Sequence, residues 1–201
     1  MAKIYNKKNK QQAIPVREDA RHTIQTYTGK IFDYLAPDQI NITDIAHALS
    51  LVCRFAGHCA YHYSVAQHSL LVCDNVPDEH RLWGLLHDAA EAYCGDVVSS
   101  LKKLLLDYRL VEARVVEAVA AQFGLALPCP AAVHEADMRA IATEKRDLFH
   151  NRVMVLDVPG ITPFGRGIHP YSPSVVEEMF IERYLTLRPD HIQDRGDEDE
   201  D

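Results

Sequence analysis
The sequence predicts a mainly α-helical domain with one small β-hairpin ahead of the helices. Three observations carry this. From Thr43 onward apolar residues recur at helical spacing over five long stretches, whereas residues 26–34 alternate aromatic and polar side chains around Gly29. The metal-competent residues, moreover, fall on separate helices, as they do in bundle-core metal sites.

In chain order, residues 1–22 are polar and basic and read as a flexible arm. Residues 26–34 read as the hairpin. Helices are expected over 43–53, 64–73, 78–93, 104–123 and 131–149. Ser64 and Gln67 have the S-x-x-Q form of a capping box, which places His68 in the first turn of its helix. The helix over 104–123 carries Leu104, Leu106, Val111, Val115, Val119 and Phe123 among charged residues and is expected to end at Gly124. Residues 151–171 are rich in proline and glycine and read as a loop. An amphipathic helix follows over 174–187. Residues 189–201 are read as a disordered acidic tail, so that residues 23–188 form a single domain. No internal repeat is evident.

Composition limits the function. The chain has 201 residues, 47% of them hydrophobic, enough for a real core. Its net charge is −8, but the segment from Asp190 holds seven acids and one arginine, so the body is only slightly acidic. Duplex nucleic acid is therefore not an expected partner, and any nucleic-acid-like ligand should be small. The five cysteines are odd in number and form no C-x-x-C pair, which fits buried thiols in a reducing compartment. The N-terminus has no hydrophobic signal core and no run reaches membrane-spanning length, so the cytoplasm is the expected location, without a membrane partner. No G-x-S-x-G elbow, phosphate-binding P-loop or G-x-G-x-x-G is present.

The most informative residues are His87 and Asp88, which follow the apolar run 82–86, with Glu91 one turn later and Gly95-Asp96 beyond. On one helix, Glu91 would lie over both at i+4 and i+3. An aspartate in an apolar stretch is costly unless paired or bound to a cation. His68 stands upstream and Asp137 downstream, each on its own expected helix. Singly, these are core histidines and capping aspartates. Together they supply two imidazoles and two carboxylates, a set suited to zinc, manganese, cobalt or magnesium and poor for copper(I) or an iron–sulfur cluster.

The order His68, His87-Asp88, Asp137 resembles the HD-domain phosphohydrolases. The segment from His87 through Glu91 and Gly95-Asp96 to Lys102, together with the Gln67-His68-Ser69-Leu70 stretch, is similar to one branch of them. That branch holds the bacterial 5′-deoxynucleotidases of the YfbR type and the phage dATP triphosphohydrolases. The resemblance spans roughly residues 43–150. It implies an HD-domain helical bundle and a divalent ion on His68, His87, Asp88 and Asp137. Glu91 and Asp96 would be the catalytic groups, their individual roles left open. It also implies phosphate contact by Arg54 and, against an equally plain surface reading, by Lys102. Phe55 could stack on a base or sit in the core. His58 and His62 read as loop residues and His134-Glu135 as surface. The expected function is metal-dependent hydrolysis of small nucleotides, as a 5′-nucleotidase on deoxynucleoside monophosphates or a triphosphohydrolase on dATP and its kin. The alternatives are a phosphodiesterase on cyclic or linear dinucleotides and a nucleotide-binding regulatory module without turnover. A homo-oligomer is expected.

Overall fold
The computed structural model describes residues 21–149 and 160–188. The basic arm up to residue 20, the acidic tail and the first part of the 151–171 loop lie outside these described residues. Strands β1 (Thr23–Gln25) and β2 (Ile31–Asp33) form an antiparallel hairpin, with Ile24 opposite Phe32. The hairpin thus starts earlier than the aromatic alternation indicated, because residues 26–30 are spent on the turn, closed by Thr26 N–H to Lys30 O at 2.9 Å. Gly29, at φ 82°, supplies the left-handed residue this turn needs. Phe32 is fully buried and stacks on Tyr93 with ring centroids 4.1 Å apart, anchoring the hairpin to the helical body.

The helices are α1 (Ile42–Leu51), α2 (Val65–Cys73), α3 (Arg81–Leu86), α4 (Glu91–Cys94), α5 (Ser99–Lys102), α6 (Leu106–Gln122), α7 (Ala131–Leu148) and α8 (Pro173–Leu187). Asn41 caps α1 through the Asp44 N–H, and Asp44 in turn accepts from Thr28 N–H at 2.8 Å, tying the hairpin turn to the helix start. Helix α6 ends as expected: Gly124 takes φ 64°, and Leu125 N–H returns to Ala120 O at 2.8 Å in a Schellman arrangement.

Helix α2 is the hub and packs against α1, α3, α7 and α8. One core gathers Ile45, Leu49, Leu85, Val115, Phe180 and Tyr184; a second joins Val72, Trp83, Val133 and Phe164. Helix α3 approaches α2 so closely that a Cβ on Gly84 would lie 2.9 Å from Cys73 Cα. Only glycine fits there.

Three expectations are corrected. The helix over 78–93 is not continuous: a 3-10 turn at Asp78–His80 precedes α3, and residues 87–90 form a turn before α4. There the backbone tightens to i→i−3 bonds, Ala89 N–H to Leu86 O at 3.0 Å and Glu91 N–H to Asp88 O at 2.9 Å. At the same point Gly84 O, the acceptor that an uninterrupted helix offers to residue 88, receives the His87 ring at 2.8 Å. Second, the capping box is half made. Ser64 Oγ accepts from Gln67 N–H, but the Gln67 amide turns to the 169–171 segment instead, donating to His169 O at 2.6 Å and accepting from Tyr171 N–H at 3.1 Å. Third, a short α5 occupies residues where no helix was expected.

Candidate metal centre
The four ligand candidates are delivered by three separate segments. His68 sits in the first turn of α2, His87 and Asp88 follow the end of α3, and Asp137 lies mid-way along α7. Their atoms converge. His68 Nε2 is 3.3 Å from His87 Nε2, 3.3 Å from Asp137 Oδ1 and 3.6 Å from Asp88 Oδ2, and His87 Nε2 is 3.3 Å from the same Asp88 oxygen. His68, His87 and Asp137 hold one ligand atom each within 4.8 Å of one another. Asp88 meets both imidazoles but stands outside that mutual group, drawn toward Arg54, whose Nη1 is 3.7 Å from Asp88 Oδ2.

The donor set fits a divalent ion. Metal–ligand distances of about 2.0–2.1 Å in a tetrahedron require ligand-to-ligand edges of about 3.3–3.4 Å; the His68–His87, His68–Asp137 and His87–Asp88 separations are 3.3 Å and the His68–Asp88 separation is 3.6 Å. Both imidazoles also present the correct nitrogen. His68 Nδ1 lies 2.6 Å from Glu144 Oε1 and His87 Nδ1 lies 2.8 Å from Gly84 O, so each Nδ1–H is spoken for and each Nε2 faces the centre. His68 is fully buried and the Asp137 side chain is 18% exposed, so the centre opens on the Asp137 side.

Burial and the Arg54 charge push the His68 imidazolium toward neutrality, but Glu144 and the hydrogen bonds to Asp137 and Glu144 outweigh them and raise its pKa to about 10. Burial works against ionised Asp137 too, yet the bond and charge of His68 bring it down to about 2.

Beside the centre lies a second constellation. Arg54 is buried among carboxylates, with Nη1 3.8 Å from Asp96 Oδ2 and Nη2 3.4 Å from Glu144 Oε2. Burial disfavours its charge, but Glu144, Asp88 and Asp96 hold it firmly cationic. Burial raises the pKa of Asp96, against the pull of Arg54. Glu91 Oε1 is 3.5 Å from Lys102 Nζ, and Lys102 also pairs with Glu112. Lys102 is therefore tied to carboxylates rather than exposed on a solvated face.

Arg54 is set by an unusual turn. Cys53 bridges to Ser64, and Arg54 N–H bonds Tyr63 O at 2.9 Å, so the 54–63 loop folds back on the start of α2. Phe55 and Ala56 adopt left-handed angles, φ 55° and 52°, each costing roughly 1–2 kcal/mol for a residue with a Cβ. Phe55 is half-buried, edge-on to Phe149, with the Arg54 guanidinium 5.3 Å from its ring. His58 and His62 are exposed, away from the converging ligand atoms. His134 and Glu135 flank Asp137 in sequence and line a cleft of about 550 Å³ between α7 and residues 160–162.

Glu144 was not singled out from the sequence. The signal was there: it lies seven residues after Asp137, two turns along the same face of α7.

No helix among the described residues is long and apolar enough to cross a membrane. No family model matches the chain. It is similar to two curated proteins, both described only as uncharacterized. An alignment with a Rhodobacter capsulatus protein shows 37% identity over 121 residues, 54% of this chain and 62% of that one. With YfdR of Escherichia coli K12 the identity is 40% over 174 residues, covering 82% of this chain and 94% of YfdR. Identity at that level over nearly the whole relative makes the chain a member of the YfdR family.

Proposed function
We propose that this protein is a metal-dependent phosphohydrolase acting on small deoxynucleotides, either as a 5′-nucleotidase on monophosphates or as a triphosphohydrolase. The observation that carries the reading is the convergence of His68, His87, Asp88 and Asp137 with both Nδ1 atoms already engaged, beside a buried arginine. A divalent ion held by these four residues would offset phosphate charge and lower the pKa of water.

The chain's own groups supply the rest. Arg54 presents a planar fork to phosphate oxygens, and its Nε–H is buried without an acceptor among the described residues, a donor suited to an incoming anion. Asp96 lies against Arg54 with a raised pKa, which suits it to hold a proton and give it to the leaving oxygen. Glu91 is held beside Lys102, which places its carboxylate to orient or deprotonate water. Lys102 then acts on phosphate only indirectly, through Glu91. Phe55 places an aromatic ring beside the Arg54 guanidinium, 5.3 Å from its centroid.

Incubation of the purified protein with dAMP and dATP in Mn²⁺, Co²⁺ or Zn²⁺, followed by chromatography, tests the reading. Release of phosphate or of triphosphate is the expected result and names the bond cleaved. Inactivity on a full nucleotide panel in every metal refutes it.

A further inference from the structure
The Glu144 carboxylate touches two groups on which the proposed chemistry depends. Oε1 lies 2.6 Å from His68 Nδ1 and Oε2 lies 3.4 Å from Arg54 Nη2, and the side chain is fully buried. We propose that Glu144 is a two-sided positioning residue. One oxygen fixes the His68 imidazole toward the metal, and the other fixes the Arg54 guanidinium for the anionic group of the substrate. The inference rests on the metal-dependent reading above, but not on turnover.

Both neighbours are donors. A carboxylate accepts through two oxygens and so satisfies them together. The remaining carboxylates near Arg54 are more distant, at 3.7 Å for Asp88 and 3.8 Å for Asp96, which leaves Glu144 as the nearest acceptor on the guanidinium among these three. Asp88 is also a proposed metal ligand, so a guanidinium that leaned on it alone would compete with the ion for the same oxygen. Glu144 holds Arg54 without spending a ligand. Helix α7 carries Asp137 and Glu144 on one face, so the element that supplies a ligand also supplies the part that aligns His68 and Arg54.

Substitution separates this role from mere core filling. Glutamine has one acceptor oxygen and turns an amide N–H₂ toward the second donor, so Glu144→Gln keeps at most one of the two bonds. Glu144→Ala keeps neither. The experiment uses the full chain stripped of metal, with Co²⁺ affinity and its absorption spectrum as one readout. The second is binding of inorganic phosphate to the Co²⁺-loaded protein. Glu144→Ala is expected to weaken Co²⁺ binding by about 10- to 100-fold with a changed spectrum, and to weaken phosphate binding as well. Glu144→Gln is expected to spare one of the two affinities.

If Glu144→Ala leaves either affinity at the wild-type value, the two-sided role is wrong. Should neither variant fold, the tautomer of His68 in the Zn²⁺-loaded wild type decides by ¹H–¹⁵N correlation: a protonated Nδ1 is expected, and a protonated Nε2 overturns the proposal. A wild type that binds no metal fails at the first titration and takes the metal reading with it. A chain that binds metal and phosphate but hydrolyses no nucleotide refutes the functional reading alone.

Discussion

Gly84→Ala tests whether the metal geometry is built by helix packing. A Cβ at residue 84 would lie 2.9 Å from Cys73 Cα and 3.2 Å from Cys73 N, both backbone atoms that no rotamer change can move aside. Ordinary carbon contacts are about 3.5–4.0 Å, so α3 must withdraw from α2 by roughly 0.6–1 Å. Overpacking of this kind costs about 1–3 kcal/mol, and for a domain of this size 2 kcal/mol corresponds to a Tm lowered by roughly 4–8 °C. The shift does not stop at the core. Gly84 O holds the His87 ring, and His68 rides on α2, so the 3.3 Å spacing of the two Nε2 atoms opens with the helices. Metal–ligand distances tolerate about ±0.2 Å; metal affinity should therefore fall although every ligand is intact. Thermal denaturation of the metal-free protein and chelator competition with Zn²⁺ measure the two effects. A variant that loses stability but keeps wild-type Zn²⁺ affinity would show that the centre does not depend on this contact.

The remaining predictions concern the ligands, the strained turn and the thiols. Asp88→Asn keeps size but removes charge, so metal content and activity should fall together, whereas Glu91→Gln and Asp96→Asn should keep the ion and slow turnover. Elemental analysis beside initial rates separates these classes, and a Glu91→Gln protein without metal would move Glu91 among the ligands. Ala56→Gly relieves a left-handed residue and should raise stability by about 0.5–1 kcal/mol in denaturant melts; a loss would mean that the turn is not strained. Burial raises the Cys59 and Cys94 thiols from an ordinary value of 9.0 to about 12. Folding thus retains protons that the unfolded chain releases, so their contribution is present below about pH 9 and is lost as pH rises toward 12. Alkylation of both thiols at pH 8 should be slow in the native protein and fast in denaturant, and equal rates would contradict their burial.

Much of the fold was legible because it rests on local rules. The helical apolar spacing in α6, the Gly124 stop and the Ser64 cap all act within a few residues, and each was found where the sequence placed it. The grouping of His68, His87 and Asp137 was legible for a different reason: residues so costly to bury are placed inside only when something pairs them. What escaped depends on contacts between distant elements. Gln67 has the right sequence for a reciprocal cap, yet the 169–171 segment offers its amide a better partner. Residues 87–90 look helical by periodicity, but the backbone there tightens to i→i−3 bonds where the His87 ring meets Gly84 O.

That last departure bears directly on the centre. In an α-helix successive side chains diverge by about 100°, while a 3-10 turn of three residues sets i and i+3 in line. The tightened backbone therefore places Glu91 directly above Asp88 while His87 stays turned toward His68. The bond that orients His87 thus falls at the break in the helix, where Asp88 faces Arg54 and Glu91 faces Lys102. With Nδ1 engaged on Gly84 O, Nε2 is the nitrogen that faces His68, so the turn and the orientation of the imidazole toward the centre support each other.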